Sequence, residues 1–325
     1  MANFYDKPFK DYDELIKIME SRNIIISDIS FAKECLSDIS YYALVNGYKD
    51  LFPCNEDKFI SPIQFEELYA LYLIDTNINN ILFKNIINIE KSLKSKISYI
   101  ISKQYGVYTD IDDITNNNEK DYLCRLNYKG SNHRNNTLVS IKNEISKKKK
   151  EPDVSHYLNN HNHLPCWILI NNIPFGLTIQ LYKIMKSSEK SYISNALVHS
   201  NISTEDKKRL LDPALQILRE YRNKIAHGKK IFVNSISNKM PKRLVIQISN
   251  NQIKAEDYVD GIGKNDVVAV ILIILSLTRS LSRELFITEL SNSLAASKDV
   301  VFSGRTLFNL LNLPPDFLER LDKMK

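Results

Sequence analysis

Arg222, Asn223 and His227, within the stretch REYRNKIAHGKK at 219–230, are the residues whose types and spacing point most directly to chemistry. An imidazole moves protons near neutral pH because its unperturbed pKa is about 6.5. A guanidinium stays charged and offers a planar fork that fits phosphate oxygens. An asparagine four residues before the histidine shares its helical face and can orient the ring or a phosphate. Together the three suggest phosphodiester chemistry. Core packing does not explain Asn223 or His227, because Ala214, Ile217, Leu218, Tyr221 and Ile225 carry the apolar stripe of a helix at 100° per residue. Asn223 and His227 fall nearly opposite that stripe, and Arg222 at its flank, about 80° from the centre. A plainer reading stands beside this one. The macrodipole favours a histidine near a helix C-terminus, and Arg222 could pair with Glu90 or another carboxylate at a buried edge.

The elements that must position these groups read as helices. Asp212 as N-cap, Pro213 at the first helical position and Gly228 past the end predict a helix of about 15 residues. Upstream, Ile78, Leu82, Ile86, Ile89, Leu93, Ile97 and Ile100 recur at steps of four and three, which predicts a helix from about Asn77 to Gln104, stopped by Gly106. Glu90 sits at the margin of that stripe, with Lys84, Lys91 and Lys94 expected on a solvated face. Residues 10–50 carry two short helical patterns, Tyr12/Leu15/Ile16/Met19 and Phe31/Cys35/Ile39/Tyr42.

Between 106 and 163 the pattern dissolves into Asp-, Asn- and Lys-rich sequence, including TNNNEK, SNHRNN and the run Lys147, Lys148, Lys149 and Lys150. This predicts a loop-rich excursion with one or two short helices. The four lysines are candidates for gripping an RNA backbone, although such runs more often form a solvated face. Lys229 and Lys230 are candidates for the same contact. From Leu164 to Lys186 an apolar pattern resumes, with a turn expected at Phe175-Gly176 and with Trp167 and Phe175 filling the core. LVIQISNNQIKAEDYV, from Leu244 to Tyr258, alternates around Asn-Asn and predicts a small β-hairpin. An apolar helix from about Asn265 to Ser282 and two short helices broken at Pro314-Pro315 complete the chain.

Composition sets the frame. The chain has 325 residues, 43% of them hydrophobic, with only 8 Gly and 10 Pro, enough for a real core and poor in linker sequence. Its formal net charge of +6 permits a polyanionic partner. The longest apolar run, Val267 to Leu275, is far shorter than the ~20 residues that cross a bilayer, and no secretory signal is read at the N-terminus. A cytoplasmic protein with no membrane contact is expected. Cys35, Cys54, Cys124 and Cys166 are widely separated and predict buried, reduced thiols. His161 and His163 form H-x-H without an accompanying cysteine or carboxylate cluster, so no metal site is assigned, and no Gly-rich phosphate loop is present.

RNKIAHG resembles the R-N-x-x-x-H signature of the HEPN superfamily of helical ribonucleases. FEELYALYLIDTNINNILFKNIINIEKSLKSKISYIISKQYG, LPCWILINNIPFGLTIQLYKIM and LREYRNKIAHG resemble, in order, the successive blocks of the Abi-like (AbiD/AbiF) abortive-infection family. KPFKDYDELIKIMESRNIIISD and ISYYALVNGYKDLF resemble its opening region, and LNLPPDF its closing one. The chain departs after the histidine, where Gly228, Lys229, Lys230 and Ile231 replace the Arg-aromatic-Asn run common in relatives.

The resemblance implies an all-α HEPN-type bundle with added N-terminal helices, forming one Abi-like domain over 1–325. Within it would lie an N-terminal layer at 1–60, a core at 61–235 carrying R-x4-H, and a C-terminal hairpin with helices at 236–325. It implies a homodimeric, metal-independent endoribonuclease without cofactors, in anti-phage defence, with Arg222, Asn223 and His227 catalytic and Glu90 supporting. A small antitoxin-like RNA or a protein inhibitor would restrain it. A non-catalytic RNA-binding or scaffold protein on the same helical dimer is the alternative.

Overall fold

The computed structural model describes residues 7–113, 118–230 and 236–324. Residues 115–117 of TNNNEK and Ile231 lie outside these, as do residues 1–6. Helices α1 (Tyr12–Ser21) and α2 (Ile29–Asp38) open the chain. Asp11 accepts from the Glu14 N–H at 2.8 Å while Glu14 accepts from the Asp11 N–H at 3.1 Å, which satisfies amides that a helix start leaves without acceptors. Strands β1 (Ile24–Ile25), β2 (Cys54–Asn55), β3 (Lys58–Phe59) and β4 (Ile63–Gln64) have two residues each; β1 pairs parallel with β4, and β2 antiparallel with β3.

The long helix α3 (Phe65–Tyr105) follows, then α4 (Arg134–Ser146), α5 (Pro152–Asn160), α6 (Cys166–Leu169), α7 (Phe175–Ile184), α8 (Ser187–Leu197) and α9 (Thr204–Ala226). After them come α10 (Lys242–Ile248), α11 (Ala255–Val259), α12 (Val267–Leu277) and α13 (Ser280–Ala295), the antiparallel pair β5 (Val301–Phe302) and β6 (Arg305–Thr306), and α14 (Leu307–Leu310) and α15 (Phe317–Asp322). The fold is all-α. The expected 77–104 helix starts earlier, because Phe65, Leu68 and Leu71 are fully buried and extend the apolar face. It ends at Gly106, whose φ of 81° suits glycine.

The chain divides into two compact units. Among the described residues, the first comprises 7–81, 223–230 and 285–323, and the second 82–113, 118–222, 236–284 and Met324. Within the first, Arg305 donates to the Leu51 carbonyl at 2.7 Å and Asn77 to the Ser293 hydroxyl at 2.9 Å, which ties its C-terminal segment to its N-terminal one. Phe31 meets Phe65 and Tyr69 edge-on.

The second unit is built around α12, all 11 of whose residues are buried. That explains its lack of periodicity, since a helix covered on every side has no polar face. Among the described residues, no helix is long and apolar enough to cross a membrane. Beside α12 the expected β-hairpin at 244–258 is absent. Leu244, Val245 and Ile248 are buried on α10, a helical spacing that the short mainly apolar stretch LVIQI fits as readily as it fits a strand. Asn250 and Asn251 take φ of 51° and 60°, which ends the helix rather than turning a hairpin. Three of the cysteines are buried and Cys54 is half-buried, and burial pushes the Cys35, Cys54 and Cys166 thiols up.

Asp266 caps α12. Its Oδ1 accepts from the N–H groups of Gly263 and Ala269, each at 3.0 Å, while Oδ2 is buried with no hydrogen-bond partner among the described residues. Burial pushes this carboxyl up to about 6, against the pull of the N–H groups. The folded value lies above the unfolded one, so this group's stabilising contribution is complete below about pH 4 and is lost as pH rises through about 6. In urea titrations, wild type should lose on the order of 2–3 kcal/mol relative to Asp266→Asn between those limits. A pH-independent difference between the two proteins would refute this.

Candidate functional site

The helix carrying the motif is longer than its sequence signals suggest. α9 begins at Thr204, where the Ser203 hydroxyl accepts from the Asp206 N–H at 3.1 Å, and Pro213 lies in its interior. Leu210 and Leu211 are buried one turn before Ala214 and Leu215, so the apolar face starts earlier, and its packing overrides the donor that Pro213 lacks. Asp206 is held in turn by a two-pronged ion pair from Arg243, and burial of the stripe is complete at Ala214, Ile217 and Leu218 and nearly so at Tyr221. Ile225 is half-buried.

Asn223 and His227 are both exposed, one turn apart, joined by a backbone bond from the His227 N–H to the Asn223 carbonyl at 3.1 Å. Gly228 follows with φ of 69°, a left-handed helix end that a side chain would strain. Arg222 is half-buried and lines an open groove of about 610 Å³.

That groove lies within the second unit. Glu90, Lys91, Lys94 and Ser95 of α3 line one side, and Trp167 and Asn171 another. Lys94 is not solvated as expected. It is 8% exposed, pairs with Glu90 at 3.0 Å and donates to the Ile173 carbonyl at 2.9 Å. Their i,i+4 spacing was the available signal for this pair.

Trp167 is 42% exposed rather than in the core, whereas Phe175 is buried as expected. α6 is a single turn that buries Cys166 and Leu169, and Trp167 falls on its other side. Gly176 is not a turn but the second residue of α7. Pro174 is extended and its carbonyl accepts from the Thr178 N–H at 3.0 Å. A Cβ on Gly176 would lie 3.1 Å from Arg219 Nε, so the absent side chain makes room for that arginine on α9.

The other candidates are dispersed. Lys147 and Lys150 are exposed, Lys147 lying 3.6 Å from Glu144. Lys148 reaches the Asn172 carbonyl and Glu144, and Lys149 pairs with Asp112 at 2.7 Å. None of the four lines the groove. Lys229 is exposed. Lys230, in the first unit, is half-buried over the rings of Tyr48 and Tyr72, at 5.0 and 4.7 Å from their centroids. Burial lowers its pKa, and nearby Asp75 opposes that shift.

His161 faces His156 at 3.2 Å between Nε2 atoms, and His163 donates from Nδ1 to the His161 carbonyl. Among the described residues no group of three or more His, Cys, Asp or Glu side chains could hold a metal ion.

Comparison with curated proteins and with solved structures finds no match. A family model described as Abi-like protein matches residues 34–233, well over half of the chain, and the span includes Glu90, Arg222, Asn223 and His227. The chain belongs to the Abi-like protein family, which is associated with abortive infection.

Proposed function

We propose that this chain is a metal-independent endoribonuclease of the HEPN type that acts in abortive-infection defence on cytoplasmic RNA, as one Abi-like domain. The observation that carries the reading is the placement of the motif on α9: Asn223 and His227 are exposed, away from the apolar stripe, and Arg222 opens on a groove. In the reaction an RNA 2′-hydroxyl attacks the adjacent phosphorus. A histidine takes the hydroxyl proton and a histidine protonates the departing 5′-oxygen, while arginine forks hold the anionic phosphorane. Bond making and breaking balance to give a 2′,3′-cyclic phosphate and a 5′-hydroxyl. One helix supplies one copy of each group, so a symmetric pair of chains, bringing two arginines and two histidines, completes the site. Such an activity needs restraint in its own cell, by a small RNA or a protein inhibitor.

A second reading has one observation in its favour. Arg222 shares its groove with the buried Glu90 carboxylate, which suits a structural arginine in a non-catalytic RNA-binding or scaffold protein. Incubation of pure protein with total RNA, with and without EDTA, separates the two. Endonuclease action predicts EDTA-insensitive fragments ending in 2′,3′-cyclic phosphate. RNA that binds but stays whole under both conditions supports the scaffold, and cleavage lost in EDTA redirects attention to His161 and His163.

A further inference from the structure

A second cavity in the same unit, of about 240 Å³, opens where the middle of α3, the end of α8 and the α12–α13 junction meet. Two cationic side chains and an imidazole, from separate elements, line it: Lys96, Arg279 and His199. Asn85, Asn88 and Ser92 supply polar neighbours, and no carboxylate lines it. Lys96 is half-buried and donates to the Ser92 hydroxyl at 2.8 Å. His199 is fixed by its backbone N–H on the Ser276 carbonyl at 2.8 Å. Burial first, and then Arg279, Arg283, Lys96 and Lys207, pull the His199 imidazole below its ordinary value. Burial and Arg279 do the same to Lys96.

Cations gathered without a counter-charge repel one another in a partly desolvated place, and a bound anion removes that penalty. The first turn of α13 adds amides that lack acceptors inside the helix, at its positive end. A lysine point charge, a guanidinium fork and an imidazole match a tetrahedral oxyanion. The volume is below the about 300–1,000 Å³ of pockets that enclose a whole small molecule, so it suits one phosphoryl group whose remainder lies outside.

We propose that Lys96, His199 and Arg279 form a phosphate-binding site separate from the R-x4-H motif. The phosphate comes either from the backbone of an RNA strand crossing the cavity mouth or from a small phosphate ester. The site stands whether or not the chain cleaves RNA.

The test reads binding rather than cleavage. His199 is followed by NMR titration of its ring, assigned by loss of its resonance in His199→Gln. The probes are inorganic phosphate, adenosine monophosphate and a 2′-O-methyl oligoribonucleotide, which has no attacking hydroxyl. Each phosphate that occupies the site should raise the His199 midpoint. Arg279→Gln and Lys96→Gln should each weaken binding about tenfold or more, the loss of a charge-assisted contact. Their folding is checked by circular dichroism, and Arg279 is exposed, so its replacement leaves the core intact.

A response to the oligonucleotide alone assigns the site to strand backbone, with a salt slope that falls by about one for each cation removed. A response to adenosine monophosphate and phosphate alone assigns it to small esters. If none of the three probes moves His199, or if binding is as tight in the folded Arg279→Gln and Lys96→Gln proteins, the proposal is wrong.

Discussion

His227→Ala removes RNA cleavage, with a rate loss of at least ~10²–10⁴ expected for deleting a general acid–base group, while the urea midpoint stays unchanged. The second half of that expectation follows from exposure. His227 lies past the last turn of α9, outside the stripe that Ala214, Ile217, Leu218 and Tyr221 bury. Arg222→Ala should lower cleavage by a comparable factor, about 10²–10³ for one donor to a developing oxyanion. Because Arg222 is half-buried, its removal also costs some packing, and Arg222→Lys separates the two effects. Lysine keeps the charge and most of the stem but loses the fork, so stability should recover while cleavage does not. The measurement is fragment release from total RNA alongside urea unfolding. Cleavage that survives in His227→Ala would remove the motif from the mechanism.

The largest loss of stability should come from Asp121→Ala. Lys142 of α4 is buried with Asp121, their side chains 1% and 0% exposed, at 3.0 Å between Nζ and Oδ2. Lys142 also donates to the carbonyls of Asp110 and Asp113, and Asp121 accepts from the N–H groups of Asp110 and Leu123. The pair thereby fastens Asp110, Asp113 and the backbone at 121–123 onto α4. Removing the carboxylate leaves an ammonium in the interior with only carbonyl partners, which costs about 3–5 kcal/mol. Replacing both residues, Asp121→Leu with Lys142→Met, should return most of that, because the double change removes the uncompensated charge together with its partner. Urea unfolding of the two variants decides it. An Asp121→Ala protein as stable as wild type would show that the pair is dispensable.

These cases show which features can be read along the chain. The stripe of α9, the exposure of Asn223 and His227 and the flank position of Arg222 follow from 100° per residue, and the structure places them accordingly. The start of α9 did not follow, because Asp212-Pro213 has the local chemistry of a helix start and only burial of Leu210 and Leu211 overrides it. The hairpin at 244–258 failed for a related reason. Four apolar residues in LVIQIS, before Asn-Asn, satisfy both periods, and the choice rests on packing beside α12.

Trp167 shows a different limit. A tryptophan in LPCWILI reads as core, but on a one-turn helix the neighbouring Cys166 and Leu169 take the buried side. The groove around Arg222, and the cluster of Lys96, His199 and Arg279, join residues from distant parts of the chain. No linear spacing could reveal either.

Trp167 is also the one tryptophan in the sequence, and it stands at the wall of the groove that holds Arg222. Its emission therefore reports on that place alone, without a label. Nucleobases stacking on the indole would quench it, and a second subunit closing over it would shift it to the blue.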